Sequence, residues 1–194
     1  MKVAIVKYNA GNVHSVENAL KRIGIEPFLT DKAEELQQAE RVIFPGVGEA
    51  SSAMSYLQAK GLDKAIKNLQ QPVLGVCLGM QLLGDFSEEN ETVCLGIVPF
   101  RVRKFKSTAE KVPHMGWNQI SSLKSELFEG VAENSFVYFV HSYFVESNVT
   151  AIAHTNYVEN FSSAIKHENF YAVQFHPEKS GEVGARILEN FLKL

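Results

Sequence analysis

The stretch VLGVCLGMQLL (residues 73–83) joins a β-rich apolar run to a run with helical spacing. Within it, residues 75–79 read GVCLG, which has the form of a nucleophile elbow with cysteine in the nucleophile position. The pattern predicts a strand, a tight turn at Cys77 and a helix that begins directly after it. The partial positive charge of that helix N-terminus would favour a thiolate and an oxyanion. Taken alone, a free cysteine in an apolar run is more commonly a buried packing residue.

The elements on either side of this turn predict an α/β fold. In the first half, β-rich runs at residues 2–6, 27–29, 41–44 and 73–76 alternate with amphipathic stretches, and Gly61 divides the helical region 49–70. Asp31 with Glu34 resembles an N-cap pair for the second helix. The second half consists mainly of short strands before a final helix at 181–194. We expect one domain over residues 1–194, with a central, mixed and mostly parallel sheet flanked by helices.

Composition and charge exclude several classes of protein. The net charge of -3 gives no electrostatic footprint for nucleic acid, and no 18 consecutive apolar residues occur that could span a membrane. The N-terminus does not resemble a signal peptide, so a cytoplasmic location is expected. Two cysteines without a CxxC pair, and six scattered histidines, predict neither a disulfide framework nor a metal site. We expect no cofactor.

The sequence QFHPEKS (residues 174–180) follows directly after a predicted strand. A strand that ends in His-Pro-Glu places His176 at the carboxyl edge of the sheet, where open α/β sheets keep their sites. Glu178 is close enough along the chain to fold back and hydrogen-bond the imidazole. Together with Cys77 this predicts a Cys77, His176 and Glu178 triad. On its own, the HPE sequence is more often a turn with a solvated acid.

A third segment, PGVG (residues 45–48), also follows a predicted strand. Glycines let the backbone approach a ligand closely and permit a peptide flip, so an amide here, with Val47 as the candidate, could complete an oxyanion hole begun by the Leu78 N–H. Alone, this segment is a weak signal. Three such segments, each after a predicted strand and at the same edge of the sheet, favour a shared active site over three unrelated structural roles.

With PGVG, GVCLGMQ and QFHPEKS in this order, the chain resembles the class I glutamine amidotransferases, which are triad glutaminase domains. The resemblance spans essentially all of the sequence and implies a flavodoxin-like, three-layer fold. Four further stretches, YNAGN (8–12), PHMGWN (113–118), FVHSYFV (139–145) and HPEKS (176–180), are similar to glutaminase subunits of histidine biosynthesis. The family's reaction is hydrolysis of glutamine to glutamate and ammonia through a thioester on Cys77.

The resemblance also implies substrate-binding residues. Positions that match the family's glutamine site are Gly48, Gln81, Glu89, Ser142 and Tyr143. Glu89 is expected to pair with the substrate ammonium, although its SEEN segment is also typical of a solvated acidic loop. His141 is expected to be a hydrogen-bonded structural or interface histidine, and Cys94 a packing residue.

A partner is expected because free ammonia is quickly lost to water and this chain has no second domain to use it. For the resembled subunits the partner is a (β/α)8 barrel cyclase, which together with the glutaminase forms a heterodimer. Asn12, Trp117, Tyr138 and Lys179 are the candidate docking residues, and Trp117 could equally pack internally.

Two other readings of the sequence stay open at this point. The chain could be a paralogue that supplies ammonia to another synthase, such as one that amidates a sugar. It could also be a catalytically inactive scaffold subunit, although all three triad positions hold competent residues.

Overall fold

The structure, a computed structural model, describes residues 1–9 and 12–194. Six helices occur in this part of the chain. In order they are Val13–Arg22 (α1), Ala33–Gln37 (α2), Ala50–Ala59 (α3), Leu62–Lys67 (α4), Leu78–Leu82 (α5) and Gly181–Lys193 (α6). Three short 3-10 turns lie at Glu89–Glu91, Glu126–Phe128 and Pro177–Lys179.

The strands follow the sequence pattern in both halves of the chain. The first seven are Val3–Val6 (β1), Phe28–Thr30 (β2), Arg41–Phe44 (β3), Val73–Val76 (β4), Phe86–Ser87 (β5), Thr92–Val93 (β6) and Arg101–Lys104 (β7). The others are His114–Gln119 (β8), Phe136–His141 (β9), Tyr143–Glu146 (β10), Ala151–Asn156 (β11), Asn160–His167 (β12) and Phe170–Val173 (β13).

Among the described residues, eleven strands form one sheet in the order β2-β1-β3-β4-β13-β12-β10-β7-β5-β6, with β11 paired to β12. Strands β2, β1, β3, β4 and β13 run parallel to one another, whereas β12, β10 and β7 pair antiparallel. The predicted mixed, mostly parallel sheet in one domain is therefore confirmed. Because β3, β4 and β13 are neighbours, the three segments that follow them meet at one edge.

Helices cover both faces of the sheet, which gives the predicted three layers. Strand β1 shows how the sequence achieves this, because all four of its residues are buried and alternate in direction. Val3 and Ile5 contribute to the core beneath α1 and α6, while Ala4 and Val6 contribute to the core beneath α2, α3 and α4. Each buried Val or Ile stabilises the fold by about 1.5–3 kcal/mol.

One local expectation is corrected by the structure. Asp31 and Glu34 do not cap α2, since Lys32 occupies the N-cap without a side-chain bond and Asp31 instead faces Lys60 at 3.4 Å. The Thr30 hydroxyl accepts the Lys32 N–H at 3.1 Å, which sets the chain direction before the helix. The PHMGWN motif is largely a strand, β8, which pairs with β9 in a separate antiparallel ribbon.

The turn predicted after β1, NAGN, includes Ala10 and Gly11, and these two residues lie outside the described part of the chain. Within the described residues, none of the helices combines the length and the apolar character needed to cross a bilayer.

Candidate active site

The strand-turn-helix at Cys77 has the geometry that GVCLG predicts. Cys77 lies between β4 and α5, at the N-cap of the helix, with φ 53° and ψ −109°, a conformation that is costly for a residue with a side chain. A Cβ on Gly79 would overlap the Phe44 carbonyl oxygen, and one on Gly75 would lie 3.1 Å from Ala172 and from Gly79. Only glycine therefore fits at position 79, a side chain at position 75 would be tightly confined, and the turn brings the sulfur to the sheet edge.

His176 reaches the same edge because β13 is the parallel neighbour of β4. The two strands are in register, with Val173 opposite Val76, and the Cys77 N–H donates to the Val173 carbonyl at 2.8 Å. Beyond β13, Pro177 opens a 3-10 turn that folds Glu178 back onto the imidazole. His176 Nδ1 lies 2.7 Å from Glu178 Oε1, and both side chains are essentially inaccessible to solvent.

The surroundings of His176 favour its protonated form. Burial lowers the pKa of the imidazole, but the adjacent Cys77 and Glu178 raise it by more, so that the pKa rises to about 10. The ring nitrogen Nε2 is buried and has no hydrogen-bond partner within the described residues. At neutral pH the imidazole therefore holds its proton next to the elbow sulfur.

Asn12 makes a contact that the sequence does not predict. Its Nδ2 donates to Glu178 Oε1 at 2.5 Å, the same oxygen that faces His176. This residue, predicted to lie on the docking surface, thus also contacts the carboxylate that is hydrogen-bonded to His176. It lies at the start of α1 with φ 70°, and it is half-buried.

The PGVG segment follows β3 and lies against the start of α5. In this conformation the Leu78 N–H, expected to be free to bind an oxyanion, donates to the Gly46 carbonyl at 3.2 Å. The Gly46 carbonyl therefore points towards the amide that the oxyanion would need. The segment is held closely, because a Cβ on Gly46 would overlap the Tyr8 hydroxyl.

A cavity of about 370 Å³ opens beside the Cys77 sulfur. It is lined by all five residues predicted to bind substrate, by Cys77 and by both oxyanion candidates. These residues are Val47, Gly48, Cys77, Leu78, Gln81, Glu89, Ser142 and Tyr143. Pro113, Val140 and His141 complete the lining and are not among the predicted binding residues.

Glu89 is the acidic group in this lining. Burial raises the pKa of its carboxyl, the Ala50 N–H lowers it, and the nearby Glu49 raises it further, so that the net change is upwards. Glu89 Oε2 accepts the Ala50 N–H at 2.8 Å, which fixes the carboxylate at the start of α3. The SEEN segment is therefore more than a solvated loop, because one of its acids faces the cavity.

His141 is hydrogen-bonded through both ring nitrogens, as expected for a structural histidine. Nδ1 lies 2.7 Å from the Tyr143 carbonyl, and Nε2 lies 3.0 Å from His114 Nδ1. Burial lowers the pKa of His141 to about 3 and that of His114 to about 4, so both rings are neutral. Cys94 is also buried, and burial raises the pKa of its thiol to about 12, consistent with a packing residue.

The other docking candidates form a cluster next to the triad. Trp117 is 56% exposed, which excludes internal packing, and its ring lies 6.0 Å from that of Tyr138. Lys179 Nζ lies 5.8 Å from the centre of the Tyr138 ring. The Tyr138 carbonyl accepts the His176 N–H at 2.9 Å, so this surface is joined to the imidazole through one backbone bond.

Gln174 is the site residue that sequence reasoning missed. It lies at the end of β13, is fully buried, and places its side chain against Cys77 and Gln81. The signal was present, because a buried glutamine two residues before His176 must share the same sheet edge.

Comparisons with known proteins agree with this arrangement. A model of the family "Glutamine amidotransferase class-I" matches residues 4–194. The chain is 57% identical to imidazole glycerol phosphate synthase subunit HisH of Bacteroides fragilis, with 100% of both chains covered. It is 46% identical to subunit HisH 2 of Legionella pneumophila, covering 99% of this chain and 98% of the relative.

Among solved structures, a putative GMP synthase protein from Thermoplasma acidophilum superposes with a TM-score of 0.76. The alignment covers 100% of this chain and 93% of that one at 20% sequence identity, which supports the fold alone.

Proposed function

The chain belongs to the class-I glutamine amidotransferase family, and from this premise we propose that it is the glutaminase subunit of an imidazole glycerol phosphate synthase. The observation that carries the proposal is the meeting of Cys77 with the buried His176–Glu178 pair at the carboxyl ends of two neighbouring strands. Full-length similarity to subunits with this name supports the assignment to histidine biosynthesis.

The proposed reaction begins with the Cys77 proton on His176. The sulfur attacks the side-chain carboxamide carbon of glutamine, and a C–S bond forms as the carbonyl π electrons move to oxygen. His176 then gives its proton to the departing nitrogen, the C–N bond breaks and ammonia leaves a thioester. Water, deprotonated by His176, hydrolyses the thioester to glutamate and restores the thiol. Glu178 keeps the imidazole oriented throughout.

Oxyanion stabilisation requires a rearrangement of the PGVG segment. A flip of the Gly46–Val47 peptide would remove the Gly46 carbonyl from the Leu78 N–H and put the Val47 N–H in its place. Two amides would then face the oxyanion, and a single such donor is worth roughly 2.7–4 kcal/mol. The bond between Leu78 and Gly46 supports a resting state with low activity.

Substrate binding in this proposal uses the cavity beside Cys77. Glu89 binds the α-ammonium, while Gly48, Ser142 and Tyr143 line the space for the rest of the amino acid. The Gln81 side-chain N–H groups donate to the Tyr143 carbonyl at 2.9 Å and to Gln174 Oε1 at 3.0 Å. Its Oε1 is consequently the side-chain atom available to the substrate, and it acts as an acceptor.

The partner that receives ammonia is the cyclase subunit, which docks on Trp117, Tyr138, Lys179 and Asn12. All four residues contact one another or the turn that carries Glu178, so a partner that docks there lies next to His176. Neither alternative reading, the paralogue or the inactive scaffold, is favoured by the comparisons.

The test is glutamate release from glutamine by the purified protein, measured with and without the cyclase and its nucleotide ligand. We expect weak activity alone, strong stimulation by the cyclase, and complete loss in Cys77→Ser. Wild-type activity in Cys77→Ser would exclude Cys77 as the nucleophile. If the cyclase does not stimulate glutamate release, a different synthase is favoured as the partner.

A further inference from the structure

The Cys77 sulfur has an amide neighbour that the reaction described above does not use. Gln174 Nε2 lies 3.7 Å from Cys77 Sγ, and the Gln174 side chain has no exposure to solvent. On another side, the Val140 carbonyl oxygen lies 3.9 Å from the same sulfur. The sulfur is therefore placed between one hydrogen-bond donor and one acceptor.

The orientation of the Gln174 amide is dictated by a carbonyl on the far side of the site. The Tyr143 oxygen can only accept, so the Gln81 side-chain atom 2.9 Å from it must be the amide nitrogen. That nitrogen also lies 3.0 Å from a Gln174 side-chain atom, which must then be oxygen. The Gln174 nitrogen is left facing the sulfur.

A second contact keeps this chain of hydrogen bonds in one direction. His141 Nδ1 also donates to the Tyr143 carbonyl, at 2.7 Å, and His141 Nε2 accepts from His114. Because two donors hold the Tyr143 oxygen in place, Gln81 cannot turn its amide without losing its partner. The direction of the Gln174 amide follows from that of Gln81.

We propose that Gln174 is a catalytic residue that donates a hydrogen bond from Nε2 to the Cys77 thiolate. The inference rests on the proposed role of Cys77 as nucleophile. A thiol can donate to the Val140 carbonyl, but a thiolate can only accept, so of these two neighbours only the Gln174 amide stabilises the charged sulfur. Gln174 thus holds the reactive form of the sulfur after the proton has moved to His176.

The test measures the reactivity of the thiolate directly, as the rate of Cys77 alkylation by iodoacetamide in the full-length protein. Gln174→Met keeps an unbranched chain of similar length but removes the donor. Since hydrogen bonds to charged groups contribute about 1.5–3 kcal/mol, we expect alkylation at pH 7 to slow about tenfold or more. Gln174→Glu, which places a carboxylate oxygen against the sulfur, should slow it further.

A matched control is Asn190→Leu. Asn190 is another buried amide, and it donates to Leu127 and Glu129 far from the cavity, so its loss should lower stability without changing alkylation. Mass spectrometry locates the label. We expect it on Cys77 and not on Cys94, because Cys94 is buried and burial raises the pKa of its thiol to about 12. Alkylation of Gln174→Met at the wild-type rate would overturn the proposal.

If the Gln174 variants fail to fold, NMR of the wild-type protein decides instead. The Gln174 side-chain amide resonances should shift when Cys77 is alkylated, and unchanged resonances would refute the contact. The proposed function is tested separately by glutamate release. If Cys77 reacts with iodoacetamide but unlabelled wild-type protein with its cyclase partner releases no glutamate, the glutaminase assignment is contradicted and the Gln174 result still stands.

Discussion

Replacing Val47 with glycine is expected to give the isolated chain a glutaminase activity about five- to thirtyfold higher than that of the wild type. In the structure the Gly46 carbonyl accepts the Leu78 N–H at 3.2 Å, so one oxyanion donor is occupied. A flip of the Gly46–Val47 peptide rotates φ of Val47 by about 180°, because ψ of one residue and φ of the next turn together. The φ of Val47 is not positive here, so the flip carries it into the positive region.

The magnitude follows from the backbone preference of an L-residue. A positive φ costs such a residue roughly 1–2 kcal/mol, and the branched valine side chain adds to this cost. Glycine adopts positive φ freely, so the substitution removes the penalty from the flipped state alone. At about 1.4 kcal/mol per factor of ten, the flipped population rises about five- to thirtyfold.

The assay is glutamate release by the glutaminase chain without its partner. Val47→Ala serves as the control, because it removes the branch but keeps the Cβ, and it should gain much less than Val47→Gly. Val47→Pro lacks the N–H and should lose activity with and without the partner. The reasoning is refuted if Val47→Gly has wild-type basal activity, or if the alanine variant gains as much as the glycine variant.

Three further outcomes are expected. Glu178→Ala should lose less glutaminase activity than Cys77→Ala, because an orienting group supports the bond changes without performing them. The kcat of Glu178→Ala should exceed that of Cys77→Ala by about tenfold or more, and equal kcat losses would argue against this ranking. Gly79→Ala should lower the free energy of unfolding by about 1–3 kcal/mol in denaturant titration, because its Cβ meets the Phe44 carbonyl; a gain in stability, as for an ordinary helical glycine, would show that the turn is loose. The KM for glutamine should rise as the pH falls, because protonation removes the Glu89 carboxylate that binds the substrate ammonium. Since the pKa of Glu89 is raised, this rise should begin at a higher pH than it would with an unperturbed glutamate side chain. Glu89→Gln should flatten the pH dependence of KM, and an unchanged pH profile in this variant would exclude the ammonium contact.

The parallel half of the fold could be predicted from the sequence because its signals are local. Strands β1, β3 and β4 are short apolar runs bounded by turn residues, and each lies within a residue of its expected position. Gly61 divides two helices as expected, with φ 66°. The elbow was predictable for the same reason, since the constraints on Gly75 and Gly79 are steric and belong to the turn itself.

The errors arise where contacts between distant segments decide the outcome. Asp31 had the right residue type for an N-cap, but the Thr30 hydroxyl takes the Lys32 N–H and Lys60 attracts the carboxylate. The state of the Leu78 N–H depends on which way the Gly46 carbonyl points, and composition carries no information about that choice. The role of Gln174 can be inferred only after β13 is known to lie beside β4, because its hydrogen-bond partners Gln81 and Cys77 are 93 and 97 residues away in the sequence.

Strand β13 lies at the junction between the parallel and antiparallel halves of the sheet, with β4 on one side and β12 on the other. During synthesis β13 leaves the ribosome after the other twelve described strands, so until then β4 has an unpaired edge in the middle of the nascent sheet. Such an edge can pair with another chain, which makes the incomplete polypeptide prone to aggregate. The same order of emergence keeps Cys77 apart from His176 until β13 has been synthesised, so a chain that stops before β13 lacks the imidazole beside its elbow thiol.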